Sequence, residues 1–295
     1  MWKPSAEHFA SLRPRWIMSD MTTLTQLEKG QAFRTLHERE GAFIIPNPWD
    51  AGTAKLLAHL GFEALATTSA GYAFSAGRPD NAIDRGEMMA HLAAVAGATP
   101  LPVSADLGNG FGDAPKIAAE TITLAAASGV VGGSIEDATQ RADQPIYELQ
   151  QAVERIQAAA EAARALPFPF TLTARAENYL WGRPDLADTI ARLQAYQEAG
   201  ADVLYAPGLA TREDIAAVVR SVDRPVNVVM GLKGVQLSRA ELSAIGVKRI
   251  SIGSSLSRAA LGAFLRAATE MREHGTFTFA GEAASYQEIN TIFQA

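Results

Sequence analysis

An apolar run, Val103-Ser104-Ala105, delivers one carboxylate, Asp106, and then breaks into a loop with glycines at 108, 110 and 112. An acid at the mouth of a buried strand is costly unless a cation, a hydrogen-bond donor or a substrate meets it. The same arrangement, a short apolar run ending in a polar cluster, recurs along the chain. It collects Asn47, Trp49 and Asp50, then Thr67, Thr68 and Ser69, then Asp106, then Glu136 and Asp137, then Arg175, Glu177 and Asn178, then Asn227, and last Ser251, Ser254 and Ser255. This collection is acidic with one fixed cation, Arg175. Carboxylates that converge without a basic excess repel one another, and a hard divalent ion is the usual remedy. Mg2+ takes octahedral oxygen ligands at about 2.0 to 2.1 Å and keeps several waters, so one direct carboxylate with others bound through water suffices. A guanidinium beside it offers a planar fork to a carboxylate.

The elements that must position these residues follow from composition. Residues 42–46, 64–68, 102–107, 133–136, 170–175, 202–206, 225–230 and 249–253 are short, apolar and often β-branched, which predicts strands. Between them, stretches such as 117–128, 146–164, 186–198, 212–219 and 256–273 place apolar residues at three- and four-residue intervals, as does 22–40 ahead of the first strand, which predicts helices. Apolar strands alternating with helices require a parallel sheet covered on its outer face, and eight repeats match a closed (β/α)8 (TIM) barrel of the α/β class. An open doubly wound sheet is the competing architecture. In a barrel the C-terminal strand ends share one mouth, where residues read as chemistry. Residues 282–293 add one helix beyond the barrel. Residues 1–21, with two prolines and no amphipathic period, read as an arm or an over-extended start, leaving 22–295 as a single domain.

Composition excludes several function classes. Twenty-six basic against thirty-two acidic residues give a net charge of -6 with no basic cluster, so nucleic acid is not an expected partner. No apolar stretch reaches the roughly 18 to 20 residues that span a bilayer. The absence of cysteine removes disulfides, thiolate metal sites and thiol catalysis, and the expected compartment is the cytoplasm. The histidines, His8, His37, His59, His91 and His274, fall in the arm or on predicted helices, away from the mouth.

Six segments, taken in order, resemble the isocitrate lyase and phosphoenolpyruvate mutase superfamily. They are Asn47-Pro48-Trp49-Asp50, Thr67-Thr68-Ser69-Ala70-Gly71, Gly77-Arg78-Pro79-Asp80, Ser104-Ala105-Asp106-Leu107-Gly108-Asn109-Gly110, Ser134-Ile135-Glu136-Asp137 and Thr173-Ala174-Arg175-Ala176-Glu177. The resemblance implies a (β/α)8 barrel whose last helix is swapped between neighbours, a dimer-of-dimers homotetramer, and Mg2+-dependent (or Mn2+-dependent) making or breaking of C–C or P–C bonds in small 2-oxo or 2-hydroxy acids through enolate-like intermediates. It implies that Asp106, Glu136 and Asp80 serve the metal, that Asp106, Glu136 and Arg175 are catalytic, and that Thr67, Thr68, Ser69, Asp80 and Arg175 hold substrate. Asn227, from the seventh strand end, is a candidate substrate contact or a residue that only satisfies backbone.

The sequence departs from the family pattern at three places. Ser104 stands where the first acid of the Asp-x-Asp metal motif belongs. Residues 138–143, Ala-Thr-Gln-Arg-Ala-Asp, replace the Lys-Cys-Gly-His loop that gives isocitrate and methylisocitrate lyases their thiol acid. Pro207 takes the place of a His or Glu after the sixth strand. Each site residue also has an ordinary reading: Asp106 capping a glycine loop, Arg175 paired with Glu177 or Glu136 and binding nothing, Asp80 in a solvated turn. The expected activity is a C–C lyase, by retro-aldol cleavage or decarboxylation, acting on a small 2-oxo or 2-hydroxy di-acid. Alternatives are a phosphonate P–C mutase or hydrolase, for which Arg175 and Lys233 are the cations at hand, and a non-catalytic 2-oxo acid binding barrel. Tyr72, Tyr179 and a metal-bound water are the candidates to protonate the enolate.

Overall fold

The computed structural model describes residues 24–232 and 236–294, so the segment read as an N-terminal arm, and Lys233, lie outside the described residues. Helix α1 (Gln26–Glu38) begins at a capping box in which the Thr25 hydroxyl accepts from the Glu28 amide and Glu28 reaches back to the Thr25 amide. The chain then runs β1 (Phe43–Ile45), α2 (Ala51–His59), β2 (Leu65–Ala66), α3 (Ser69–Ser75), α4 (Arg85–Gly97), β3 (Val103–Asp106), α5 (Pro115–Ala127), β4 (Gly132–Glu136) and α6 (Leu149–Arg164). It continues with β5 (Thr171–Arg175), α7 (Leu186–Glu198), β6 (Val203–Tyr205), α8 (Arg212–Arg220), β7 (Val226–Val229), α9 (Arg239–Ala244), β8 (Arg249–Ser251) and α10 (Ser255–His274). A short 3-10 helix (Thr278–Glu282) and α11 (Tyr286–Gln294) follow.

The eight strands form one parallel sheet in the order β1-β8-β7-β6-β5-β4-β3-β2. The amide of Ala66 in β2 donates to the Pro46 carbonyl just past β1 at 3.1 Å, which draws the two ends together into a nearly closed TIM barrel. The open-sheet alternative is thereby set aside. All eight predicted strands form, seven of them shorter than their apolar runs because pairing covers only part of each, while β4 begins one residue earlier, at Gly132. Helix α6 starts later than its periodicity suggests, since Ile146 is taken by a bridge to Ala138.

Side chains alternate faces along a strand, so Cα partners across a sheet share a face. Glu136, Arg175, Tyr205, Asn227 and Arg249 are aligned as successive partners from β4 to β8. Arg249 bonds Thr173 on the non-adjacent strand β5, which fixes this row inside the barrel. At the opposite end, Phe33 and Leu36 of α1 pack on Phe43, Ile45, Ala64 and Val131 and plug the floor. The outer layer buries a larger cluster between strands and helices, including Leu92, Val95, Ile122, Ile156 and Leu193.

Helix α10 behaves differently from the others. Ser257 is its buried residue, while Phe264 and Leu265 are 68% and 62% exposed. The outward residue of β1, Ile44, is correspondingly only half-buried. Helix α11 folds back onto α2, where Phe293 lies against Gly52. No described helix is long and apolar enough to cross a membrane.

Candidate active site at the barrel rim

Asp106, Glu136 and Arg175 are the last residues of β3, β4 and β5, and the parallel register brings them to one rim. Arg175 Nη1 donates to Asp106 Oδ1 at 3.1 Å, Nη2 lies 3.1 Å from Glu136 Oε2, and Nε donates to Glu177 Oε1 at 2.9 Å. A guanidinium carries five N–H donors, so the second hydrogen on Nη1 remains for the oxygen of a guest. The Tyr205 ring lies under this guanidinium, 5.1 Å from Cζ.

Three acids around one cation leave negative charge in surplus. Burial, ahead of the charges of Glu177 and Asp106, lifts the Glu136 carboxyl well above the usual range even though Arg175 opposes it. Burial likewise raises Glu177. Burial works against the charge on Arg175, but the attraction of Glu177, Glu136 and Asp106 prevails and holds it firmly cationic.

The turn at residues 67–70 is built around Asp106. The amide and the hydroxyl of Ser69 each donate to Asp106 Oδ2 at 2.9 Å, and the Asp106 amide donates to Thr67 Oγ1 at 2.9 Å. Thr68 caps α3 by accepting from the Gly71 amide at 3.2 Å. Asp80 sits in the following loop, solvent-exposed on one side, and accepts from the Asn81 amide at 2.9 Å. Crowding by the rim, and then the nearby charge of Asp106, raise its carboxyl above the usual range. Gln140 Nε2 donates to Asn81 Oδ1 at 3.0 Å and ties the loop after β2 to the loop after β4. Asn81, Phe111 and Gln140 are the described non-glycine residues with positive φ (64°, 64° and 63°). Such strain gathers where surrounding structure over-determines the backbone, commonly at ligand sites. Beside Ser69 these loops enclose a cavity of about 400 Å3 lined by Asn81, Arg85, Asn109, Phe111 and Gln140 among others. Arg155, buried on α6, holds the glycine loop through the carbonyls of Asn109, Gly112 and Asp113.

Other mouth candidates face elsewhere. Asp137 points outward and accepts from Arg192 Nη1 at 3.0 Å, the Tyr196 hydroxyl at 2.6 Å and the Glu177 amide at 2.8 Å. Asp50 caps α2 through the Thr53 amide, and Asn178 donates to Asp188. Asn47 bonds the Thr67 carbonyl and the Ile252 amide, joining the ends of three strands. Asn227 accepts from Arg249 Nε at 2.9 Å and donates to Ser251 Oγ at 3.0 Å, so its bonds run inside the barrel. Ser104 is buried below Asp106 and, as a hydroxyl, brings no charge. Among the described residues no group of three or more Asp, Glu or His side chains is close enough to hold an ion directly. Sequence reasoning passed over Tyr205 and Arg249, whose signal was phase: each falls in step with the inward residues of its neighbours.

Comparison with known proteins agrees with this geometry. Residues 33–272 match the family model described as phosphoenolpyruvate phosphomutase. The chain is 29% identical to 2,3-dimethylmalate lyase of Eubacterium barkeri over 72% of its length and 75% of that protein. A crystal structure of a candidate lyase/mutase from Burkholderia cenocepacia J2315 superposes with a TM-score of 0.90 at 68% identity, covering 92% of this chain and 97% of that one. A phosphonopyruvate hydrolase crystallised with oxalate and Mg++ superposes with a TM-score of 0.80 at 25% identity, covering 91% and 95%.

Proposed function

The chain belongs to the phosphoenolpyruvate phosphomutase family, and from that premise we propose that it is a Mg2+-dependent lyase that breaks a C–C bond of a small 2-oxo or 2-hydroxy di-acid through an enolate. The observation that carries this reading is the meeting of Asp106, Glu136 and Arg175 at one rim, around a guanidinium with a donor to spare. The relative named 2,3-dimethylmalate lyase supports the bond type.

The donor set fits a hard divalent ion. Carboxylates outnumber cations at the rim, and burial first, with the neighbouring acids adding to it, holds Glu136 and Asp80 above the usual range, a cost that a divalent ion would relieve. Asp106 would hold Mg2+, or Mn2+ in its place, with Glu136 and Asp80 engaged through water, consistent with the lack of a direct three-acid set. When bound, the ion supplies Lewis-acid polarisation of the 2-oxo group and charge for the enolate oxygen.

The chain's own residues do the rest. Thr67 and Ser69 fix the orientation of Asp106, while the Nη1 donor of Arg175 grips a substrate carboxylate and Glu136 and Glu177 keep that guanidinium from turning away. The Thr68 turn and the Asn81–Gln140 contact wall the guest from solvent, with Asp80 on the same loop. With no cysteine, a thiol acid is not part of this reading. A phosphonate substrate is the second reading, favoured by the hydrolase relative; a dianionic group asks for more cations than Arg175, and Arg85 on the cavity wall, 3.5 Å from Glu120, is the further one at hand.

The assembly reading is a homotetramer in which α10 is exchanged. Its support is a long helix with an uncovered apolar side, Phe264 and Leu265 included, beside a β1 whose Ile44 lacks full cover.

The functional test incubates the protein with Mg2+ and oxaloacetate, 2-methylmalate-type acids, phosphonopyruvate or 2-oxoglutarate, following pyruvate or the released anion. At least one carbon acid is expected to turn over and to stop doing so in EDTA. Binding of these acids without any turnover would replace the lyase by a binding barrel, and turnover of phosphonopyruvate alone would favour the second reading.

A further inference from the structure

The barrel interior carries polar side chains that the rim chemistry leaves without a role. Such interiors are filled chiefly by bulky branched residues. Here Thr173, Tyr205, Asn227, Arg249 and Ser251 occupy the space, all buried. All but Tyr205 are linked in a chain. Arg249 Nη2 donates to Thr173 Oγ1 at 2.9 Å and Nε to Asn227 Oδ1 at 2.9 Å, and Asn227 Nδ2 donates to Ser251 Oγ at 3.0 Å. Tyr205 stands beside this chain as the strand partner of Asn227. Nη1 of Arg249 has no partner, and no carboxylate among the described residues pairs with that guanidinium.

We infer that Tyr205 is the general acid that delivers a proton to the enolate carbon, an assignment that rests on the lyase reading. Tyr205 ends β6 as Asp106, Glu136 and Arg175 end their strands, it is the direct Cα partner of both Arg175 and Asn227, and its ring centroid lies 5.1 Å from the Arg175 Cζ, which sets a phenol beside the guanidinium assigned to the guest. The other tyrosines considered for the role are placed elsewhere. The Tyr72 ring is stacked on His91 with centroids 3.8 Å apart, and Tyr179 lies against Gly208 in the loop after β6, outside the row of Arg175. His37 and His91 are buried on α1 and α4.

The surroundings suit a proton that is held and then released. Burial, the largest influence, pushes the phenol up to about 12, so it stays protonated at neutral pH. Arg175, next in weight, favours the phenolate once the proton has left, against the smaller opposing charges of Glu177 and Asp106. In the step, the Tyr205 O–H bond breaks and a C–H bond forms from the enolate's C=C pair. The enolate oxygen's charge returns to a C=O double bond, and the phenolate regains its proton from solvent. No oxidant or further reactant is needed.

The test compares wild type with Tyr205→Phe, which keeps the ring under Arg175, using the panel acid that the wild type cleaves and Mg2+-dependent binding of oxalate as the reporter of an intact site. The expected result is a loss of roughly 10²- to 10⁴-fold in kcat, the range of general acid catalysis, with KM and the oxalate Kd within about threefold of wild type and the solvent deuterium isotope effect on kcat altered. A kcat and isotope effect within about threefold of wild type overturn the assignment while leaving the lyase reading standing. Loss of oxalate binding together with kcat makes Tyr205 structural and overturns it equally. No turnover by the wild type on any panel acid overturns the lyase reading, and the assignment with it.

Discussion

Replacing Arg175 with methionine removes the one cation shared by Asp106, Glu136 and Glu177, which approach it at 3.1, 3.1 and 2.9 Å. Taking away one partner of a buried ion pair costs about 3 to 5 kcal/mol, because the charge left behind is uncompensated. That cost must depend on pH. Arg175 lowers the carboxyls of both Glu136 and Glu177, so in its absence both rise further above the carboxylic range. A group whose folded pKa lies above its unfolded value favours the fold at low pH and loses that contribution as pH climbs through the folded value. The variant should therefore be least stable relative to wild type near pH 8 and recover toward pH 5.5. One extra proton bound over two pH units is worth about 2.7 kcal/mol. Denaturant titration in EDTA, at one fixed protein concentration, measures the difference at the two pH values. A deficit below about 1 kcal/mol, or one of equal size at pH 5.5 and pH 8, would refute the reasoning, since it would mean that the three acids are not forced together at the rim.

Three further outcomes follow from the same geometry. Tyr196→Phe removes the 2.6 Å hydrogen bond to buried Asp137 and should lower stability by about 1 to 3 kcal/mol with kcat little changed, because Asp137 faces away from the rim; denaturation and steady-state kinetics read both. Gly132→Ala places a Cβ 2.9 Å from the Thr171 carbonyl oxygen and 2.9 Å from the Phe33 ring, and should destabilise by about 1 to 3 kcal/mol in thermal unfolding. Ser104→Asp puts a carboxylate beneath Asp106, so it should tighten Mg2+ binding in calorimetry and lower stability in EDTA; an unchanged Mg2+ affinity would place the ion away from β3.

Much of this architecture is legible in the chain because parallel strands buried on both faces are nearly continuous apolar runs, and their C-terminal ends announce the rim. Asp106, Glu136 and Arg175 fall there as the run boundaries require. Period-two alternation also explains what the strand-end list overstates: Glu136 faces in, so its neighbour Asp137 must face out, toward Arg192 and Tyr196. Asp50 and Thr68 were visible as polar residues, but whether such residues cap a helix or meet a guest depends on the helix that follows. Tyr205 and Arg249 were hidden for a different reason. Tyr205 ends the run Val203-Leu204-Tyr205 and reads as core, while Arg249 opens its strand and reads as a solvated start, yet closure of the barrel turns both inward. The exposure of α10 does not follow from its periodicity, which matches that of any helix packed on a barrel; only the family resemblance, with its exchanged last helix, pointed to it.

The central claim is that this rim holds a divalent ion together with a small di-acid. Calorimetric titration of oxalate into the full-length protein, with Mg2+ and then with EDTA, tests it most directly. One oxalate per chain should bind with Mg2+ present, and binding should vanish in EDTA and in Asp106→Asn. Equal oxalate affinity with and without Mg2+, or an Asp106→Asn variant that binds as well as wild type, would contradict it.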